Sequence, residues 1–172
     1  MKVILDMAMS INGIIARKNF TEDFLSEGNW EVFCKFANQV GCLIFGRKTY
    51  EMLTNPKEYD ILPIKNVYKI IVSKNKSLRN KNKFFFVRSP KEALRMAKKL
   101  GFKEVLLAGG GNINSEFMRL GLVDEIFLNI NSVIVNNGIR VFGESDFEHK
   151  LKLLEIKKLK EDILRLHYKV LK

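Results

Sequence analysis

Short apolar runs alternate along most of the chain with segments in which apolar residues recur at helical spacing. The short runs predict buried strands, and the amphipathic segments predict helices between them. We predict strands at 2–9, 42–45, 67–73, 84–87, 104–108 and 124–133. We predict helices at 29–40, in a short piece that ends at 53, at 90–100 and at 113–120. This alternation favours an α/β fold with a mostly parallel central sheet.

Local signals mark the ends of these elements. Gly41 follows the first helix, as glycine often does at a helix C-terminus. Ser89 and Glu92 are placed to form a capping box, and Pro90 fits the first turn of the same helix. Residues 55–66 hold two of the three prolines and predict a surface loop.

The last residues of the chain alternate between apolar and polar side chains, as in a strand with one buried face. The apolar members are Leu164, Leu166, Tyr168 and Val170, and the polar ones are Arg165, His167 and Lys169. Residues 151–159 predict a second strand that pairs with this one across a short turn. The hairpin would add an antiparallel edge to the sheet. With neither an internal repeat nor a linker in view, we predict one domain over residues 1–172.

Composition narrows the class of protein. Hydrophobic residues make up 47% of the chain, which is enough for a core, and no apolar stretch approaches the roughly 18 residues of a membrane span. The N-terminus lacks the pattern of a signal peptide, so we predict a soluble, cytoplasmic protein. Cys34 and Cys42 match no metal or redox spacing and are predicted to be reduced core thiols. His149 and His167 have no nearby ligand cluster, so we predict no metal site.

The formal net charge of +11 indicates an anionic partner. Its lysines are scattered rather than clustered, and the chain has no aromatic-rich basic motif of the RNA-binding type. The pattern therefore favours a phosphate-rich cofactor or substrate over nucleic acid.

Two strand–glycine–helix turns are candidate phosphate sites. In residues 105–113, a buried strand runs into Gly109, Gly110 and Gly111 and then into a helix start. Glycines permit close backbone approach, and a helix N-terminus offers free N–H groups to an anion. This turn is not the G-x-G-x-x-G dinucleotide fingerprint, so anion binding and a tight structural turn both remain open.

The second turn, residues 43–51, repeats this order and adds two cations and a hydroxyl from Arg47, Lys48 and Thr49. A solvated basic turn is the alternative. Two such turns in one sheet would suit a ligand with two phosphate groups.

The first strand opens into a loop at residues 10–13. Ala8 is small enough for a flat ring to pack on the strand, and Ser10 and Asn12 could bond a polar heterocycle. An ordinary Asn-Gly hairpin turn at Asn12 and Gly13 is the alternative.

The ordered motifs 10–13, 46–51, 109–112 and 121–125 resemble the reductase domain of the bifunctional deaminase-reductases of riboflavin synthesis, and more loosely dihydrofolate reductase. The similarity runs from residue 3 to about 143. It implies a dihydrofolate reductase-like three-layer sandwich and an NADPH-dependent oxidoreductase. It also implies hydride transfer to a small substrate such as 5-amino-6-(5-phosphoribosylamino)uracil, and it makes a homodimer plausible.

The resemblance also implies roles for particular residues. Those implied for the cofactor are Ala8, Ile15, Gly46, Arg47, Lys48, Thr49, Ser73, Lys74, Gly109, Gly110, Gly111, Asn112 and Ile113. Those implied for the substrate are Ser10, Asn12, Gly13 and Trp30.

Two positions depart from the family. Asn12 stands where an aspartate is common, and Asn29 stands where many members carry an acid. An asparagine cannot act as a general acid. By their positions in the resemblance, Asn12 and Asn29 are candidate catalytic residues together with the nearby Glu31, and Asp23 and Glu27 are other carboxylates nearby. A proton from water or from the substrate's own group is the alternative to a proton from these carboxylates. Dihydrofolate reductase proper, and a nucleotide- or nucleic-acid-binding module without catalysis, remain as alternatives.

Overall fold

A computed structural model describes residues 1–55, 61–75 and 77–172. Of the loop predicted at 55–66, the segment 56–60 lies outside the described residues. The strands are β1 (Lys2–Ser10), β2 (Ile14–Ala16), β3 (Cys42–Gly46), β4 (Tyr68–Val72), β5 (Phe84–Val87), β6 (Glu104–Leu107), β7 (Glu125–Asn131), β8 (Ile139–Arg140), β9 (Leu151–Lys158) and β10 (Leu164–Val170). The α-helices are α1 (Glu27–Val40), α2 (Arg47–Leu53), α3 (Pro90–Lys99) and α4 (Gly111–Arg119), and Leu62–Ile64 forms a single 3-10 turn.

Eight strands form one sheet in the order β5-β4-β3-β6-β1-β7-β10-β9. The pairs from β5 to β7 are parallel, and β10 pairs antiparallel with both β7 and β9. The predicted parallel sheet with an antiparallel C-terminal hairpin is therefore confirmed. Strands β2 and β8 pair with each other in a separate small sheet, which their short lengths hide in the sequence.

The predicted ends of the helices agree with the observed ends to within a few residues. Helix α1 ends at Gly41, whose φ is 79°, and Ser89 caps α3 by accepting a hydrogen bond from the Glu92 N–H. The Glu92 carboxylate accepts from the N–H of Arg88, one residue earlier than a standard capping box would have it. Helix α1 begins two residues before the predicted start, because its polar first turn carries no apolar periodicity.

The core lies on both faces of the sheet. On one face, Val3 and Leu5 of β1 pack with α3 and α4; on the other, Ile4 packs with α1 and α2. Because side chains alternate along a strand, Asp6 and Ala8 point to the α1 face together with Ile4. A charged side chain is thus placed where the sheet meets α1.

Strand β9 is the edge of the sheet and is exposed along its whole length. Leu151, Leu153, Leu154 and Ile156 keep between 41% and 56% of their surface in solvent. Cys34 and Cys42 are both buried in the core, as predicted. Within the described ranges, no helix is long and apolar enough to cross a bilayer.

Candidate functional site

A cavity of about 610 Å³ lies between α1 and the sheet. Its sheet side carries Asp6 and Ala8 from β1, Ala108 after β6 and Asn129 from β7. The helix side is built by α1 and α2, and the segment between β2 and α1 lines the remainder. From these elements come Asn29, Trp30, Glu31, Phe33, Thr49, Leu53, Phe20, Thr21 and Leu25.

The two glycine turns meet beside this cavity. The Gly46 N–H donates to the Gly109 carbonyl over 2.8 Å, so the carboxyl ends of β3 and β6 are joined. A Cβ at Gly110 would lie 3.6 Å from the hydroxyl of Thr49. The start of α4 and the first turn of α2 therefore border the same space.

Two of the glycines are required by geometry. Gly109 has a φ of 80°, a conformation that side chains disfavour. A Cβ at Gly111 would collide with the backbone carbonyl of Arg140, which packs directly on the first turn of α4. Helix α4 has no side-chain cap, although the Ile113 N–H donates to the Gly110 carbonyl over 3.1 Å. The N–H groups before Ile113 are the ones that could meet a ligand.

Arg47 and Lys48 stand at this turn, and both are exposed. Each already has a partner: the Arg47 guanidinium lies 2.6 Å from the Glu51 carboxylate, and the Lys48 ammonium lies 4.4 Å from the Phe20 ring centre. A phosphate that recruits these cations would have to compete with Glu51 and with Phe20.

At the end of β4, the Ser73 hydroxyl accepts a hydrogen bond from the Asn75 N–H. Lys74 is exposed beside it. Arg88, which the sequence did not single out, donates to the carbonyls of Ser73 and Asn75 over 3.1 and 2.6 Å. The carboxyl end of β4 therefore carries a second cation, Arg88, beside the expected Lys74.

The turn after β1 does not line the cavity. The hydroxyl of Ser10 donates to the Asn12 side-chain oxygen over 2.8 Å and accepts from the Ile14 N–H over 3.0 Å. The Asn12 side chain bonds both backbone groups of Val135. The side chains of Ser10 and Asn12, which were expected to bind the substrate, instead hold this turn together, and the turn includes Gly13. Ile15 is likewise buried on β2 outside the cavity lining.

Asn29 and Trp30 do line the cavity, as does Glu31. The Asn29 amide is buried and donates to the side-chain oxygen of Asn131 over 2.6 Å. The ring of Trp30 stacks on Phe33 with 5.5 Å between centres. The predicted residues of α1 are thus gathered at one wall, although Asn29 is already occupied by an amide partner.

Sequence reasoning missed Asp6. Its side chain is only 1% exposed, yet it forms part of the cavity lining. Arg165 approaches its Oδ1 to 3.3 Å, and Asn129 donates to the same oxygen over 3.4 Å. Burial raises the pKa of this carboxyl to about 6, although Arg165 and Asn129 both act to lower it. The signal was present in the sequence as an aspartate in the middle of an apolar strand.

The sheet and its crossovers define a dihydrofolate reductase-like α/β fold. The chain belongs to the RibD C-terminal domain family, whose model matches residues 1–165. In the described part of the chain, no group of three or more His, Cys, Asp or Glu side chains could hold a metal ion.

The relatives extend this assignment. The uncharacterized protein YyaP of Bacillus subtilis (strain 168) is 27% identical over 176 residues, covering 97% of this chain and 94% of that protein. A Shewanella sp. PV-4 protein assigned to riboflavin biosynthesis matches with a TM-score of 0.82 at 20% identity and full coverage of both chains. A deaminase/5-amino-6-(5-phosphoribosylamino)uracil reductase of Thermotoga maritima matches with a TM-score of 0.75 at 18% identity, covering 99% of this chain and 56% of that one. At these identities the two structures share the fold with this chain.

Proposed function

We propose that this protein is an NADPH-dependent reductase that transfers a hydride to a C=N or C=O carbon of a small heterocyclic substrate. The observation that carries the proposal is the meeting of the Gly46 and Gly109 turns beside the cavity lined by Ala8. A dinucleotide needs a phosphate site and a neighbouring ring site, and these two features supply both.

The residues present fit such a cofactor. Helix α4 starts at the glycine turn without a side-chain cap, and an uncapped helix N-terminus suits a pyrophosphate. Arg47 and Lys48 are cations at the entrance of the same site, suited to a 2′-phosphate. When bound, NADPH supplies the hydride, and the protein orients the reacting groups and excludes water.

The substrate we propose is a pyrimidine of the riboflavin pathway type, such as 5-amino-6-(5-phosphoribosylamino)uracil. The volume of about 610 Å³ lies in the range of small-molecule sites. The net charge of +11 suits a phosphorylated ligand. Dihydrofolate is less favoured, because Asn29 replaces the acid of the helix and is bonded to Asn131.

The test is a titration of the purified protein with NADPH and with NADH, followed by the fluorescence of Trp30. Trp30 is the only tryptophan and lines the cavity, so bound nicotinamide should quench its emission. We expect saturable quenching with NADPH at lower concentration than with NADH. Binding of neither cofactor would overturn the proposal and favour a module without reductase chemistry.

We also propose that two copies of the chain pair through β9. Strand β9 ends the sheet with an unpaired edge, and its exposed leucines and Ile156 offer an apolar surface. Analytical ultracentrifugation should therefore give twice the chain mass of 19.9 kDa. Leu153→Lys with Ile156→Lys should give the monomer, whereas Ile134→Lys, at another exposed apolar site, should not. A wild-type monomer would contradict this assembly.

A further inference from the structure

Asp6 is a buried carboxyl at the wall of the cavity. It occupies the centre of β1 on the face that Ala8 shares, next to Phe127 of β7 in the sheet register. A carboxylate is rarely buried to this degree unless it is paired or has a task.

The contacts of Asp6 are one-sided. The ion pair with Arg165 and the hydrogen bond from Asn129 both end on Oδ1. Arg165 in turn donates to the side-chain oxygen of Asn129 over 2.8 Å, which closes a triangle of three side chains. These contacts leave Oδ2 without a partner inside the triangle, and Asp6 lines the cavity.

The cation of this triangle packs against two aromatic rings. The guanidinium carbon of Arg165 lies 4.5 Å from the ring centre of Phe127 and 5.3 Å from that of Phe36. Rings at these distances attract the guanidinium charge. Arg165, with a nitrogen 3.3 Å from Oδ1, is therefore placed to stabilise a carboxylate on Asp6.

Other charged groups face Asp6 from further away. Behind Phe127, whose ring stacks on His167, lies the His167–Glu125 pair with its 3.0 Å contact. Across the cavity, α1 presents Glu27 and Glu31. Arg165 remains the cation in direct contact with Asp6. The proton affinity of Asp6 is therefore set by burial, which raises it, and by Arg165, which lowers it.

The other four carboxylates of the cavity lining, Glu22, Asp23, Glu27 and Glu31, are all more exposed than Asp6. Asp23 is exposed, and a hydrogen bond from Arg17 holds the pKa of its carboxyl below the ordinary value. Glu27 and Glu31 are also exposed to water. Asn29, at the place of the family's acid, has no proton to give.

We propose that Asp6 donates the proton that the substrate needs when it is reduced, and that Arg165 and Asn129 position it. This inference rests on the proposed function. As a hydride joins the carbon of a C=N or C=O bond, the π electron pair moves to nitrogen or oxygen. That atom takes the proton from Oδ2, and the carboxylate left on Asp6 is stabilised by Arg165. A proton from water then restores the acid.

The first arm of the test needs no substrate. Protein labelled with ¹³C at the aspartate carboxyls is titrated by NMR, alone and with tetrahydro-NADP, an acid-stable reduced analogue. The resonance missing from Asp6→Asn should titrate near pH 6 and shift upward with the analogue, since filling the cavity removes more water. An Asp6 resonance that titrates near 3.8 in the complex would overturn the proposal.

The second arm uses 5-amino-6-(5-phosphoribosylamino)uracil and NADPH. Asp6→Asn should lower kcat about 100-fold or more while leaving the Kd for NADPH nearly unchanged. Asp146→Asn, at an exposed aspartate outside the cavity lining, is the matched control and should keep both the kcat and the Kd. Arg165→Lys should move the upper limb of the pH–rate profile, which loss of packing alone would not do.

The two proposals fail in different ways. A wild-type protein that binds no NADPH refutes the proposed function, and the NMR titration of the free protein still decides the state of Asp6. A protein that reduces the uracil equally well with Asn at position 6, folded by circular dichroism, refutes the role of Asp6 and leaves the reductase standing.

Discussion

Replacing Arg165 by methionine is expected to lower the free energy of unfolding by up to about 3 kcal/mol at pH 8, because it leaves a buried carboxylate without its cation. Methionine keeps an apolar stem between Phe36 and Phe127, so the packing lost is small. The loss should shrink strongly at pH 5. Urea unfolding followed by circular dichroism at the two pH values measures both quantities.

The pH dependence follows from the proton on Asp6. The additional penalty cannot exceed the cost of protonating the folded carboxyl, about 1.4 kcal/mol for each pH unit above its folded pKa of about 6. That ceiling is about 3 kcal/mol at pH 8 and close to zero at pH 5. In the wild type the folded pKa of about 6 lies above 3.8, so this carboxyl's stabilising effect is complete below 3.8 and is lost as the pH rises through 6. Without Arg165 the loss continues to higher pH.

Two variants control this experiment. Asp6→Asn combined with Arg165→Met removes both charges and should be more stable at pH 8 than Arg165→Met alone. Arg17→Met breaks the exposed pair with Asp23 and should change stability little at either pH. Equal losses for Arg165→Met at pH 5 and pH 8 would show that packing, and not the carboxylate, is responsible.

Replacing Arg47 and Lys48 together by alanine is expected to weaken NADPH binding by about 100-fold. Each charge-assisted contact to a phosphate contributes about 1.5 kcal/mol or more, and 1.4 kcal/mol is tenfold in affinity. The lower value is the appropriate one, since each cation must first leave Glu51 or Phe20. NADH lacks the 2′-phosphate and should lose far less. The Trp30 titration measures both.

The matched control is the double alanine variant of Lys98 and Lys99 on α3. It also lowers the net charge from +11 by two, to +9, but at exposed positions away from the glycine turns. Its affinity for NADPH should stay within a few-fold of the wild type. Equal losses for NADPH and NADH in the Arg47 and Lys48 variant would refute the assignment of these residues to the 2′-phosphate.

Much of the fold could be predicted because its signals are local. The apolar run at β3 can only be a strand buried on both faces, and glycines such as Gly41 end helices by their own conformation. The small pair β2 and β8 could not be predicted, since strands this short carry no periodicity and depend on a contact between distant segments.

The site was predicted in part for a similar reason. The glycine turns carry a local pattern, so their position was predictable from the sequence. The contact of Asn12 with Val135, and that of Asp6 with Arg165, join residues more than 100 positions apart. Only the folded chain reveals that Asn12 holds a turn. It also reveals that Asp6, Arg165 and Asn129 form a buried triangle of side chains.

A side chain at position 111 would collide with the Arg140 backbone, and this affects how a glycine at that position is interpreted when related sequences are compared. Gly46 belongs to the same pair of turns, yet a methyl group there would make only ordinary contacts at 3.8–3.9 Å. At Gly111 any side chain must push away the Arg140 backbone. An invariant glycine at 111 would therefore record packing between two segments, whereas one at 46 would record what the protein binds. Equal invariance at the two positions would have two different causes.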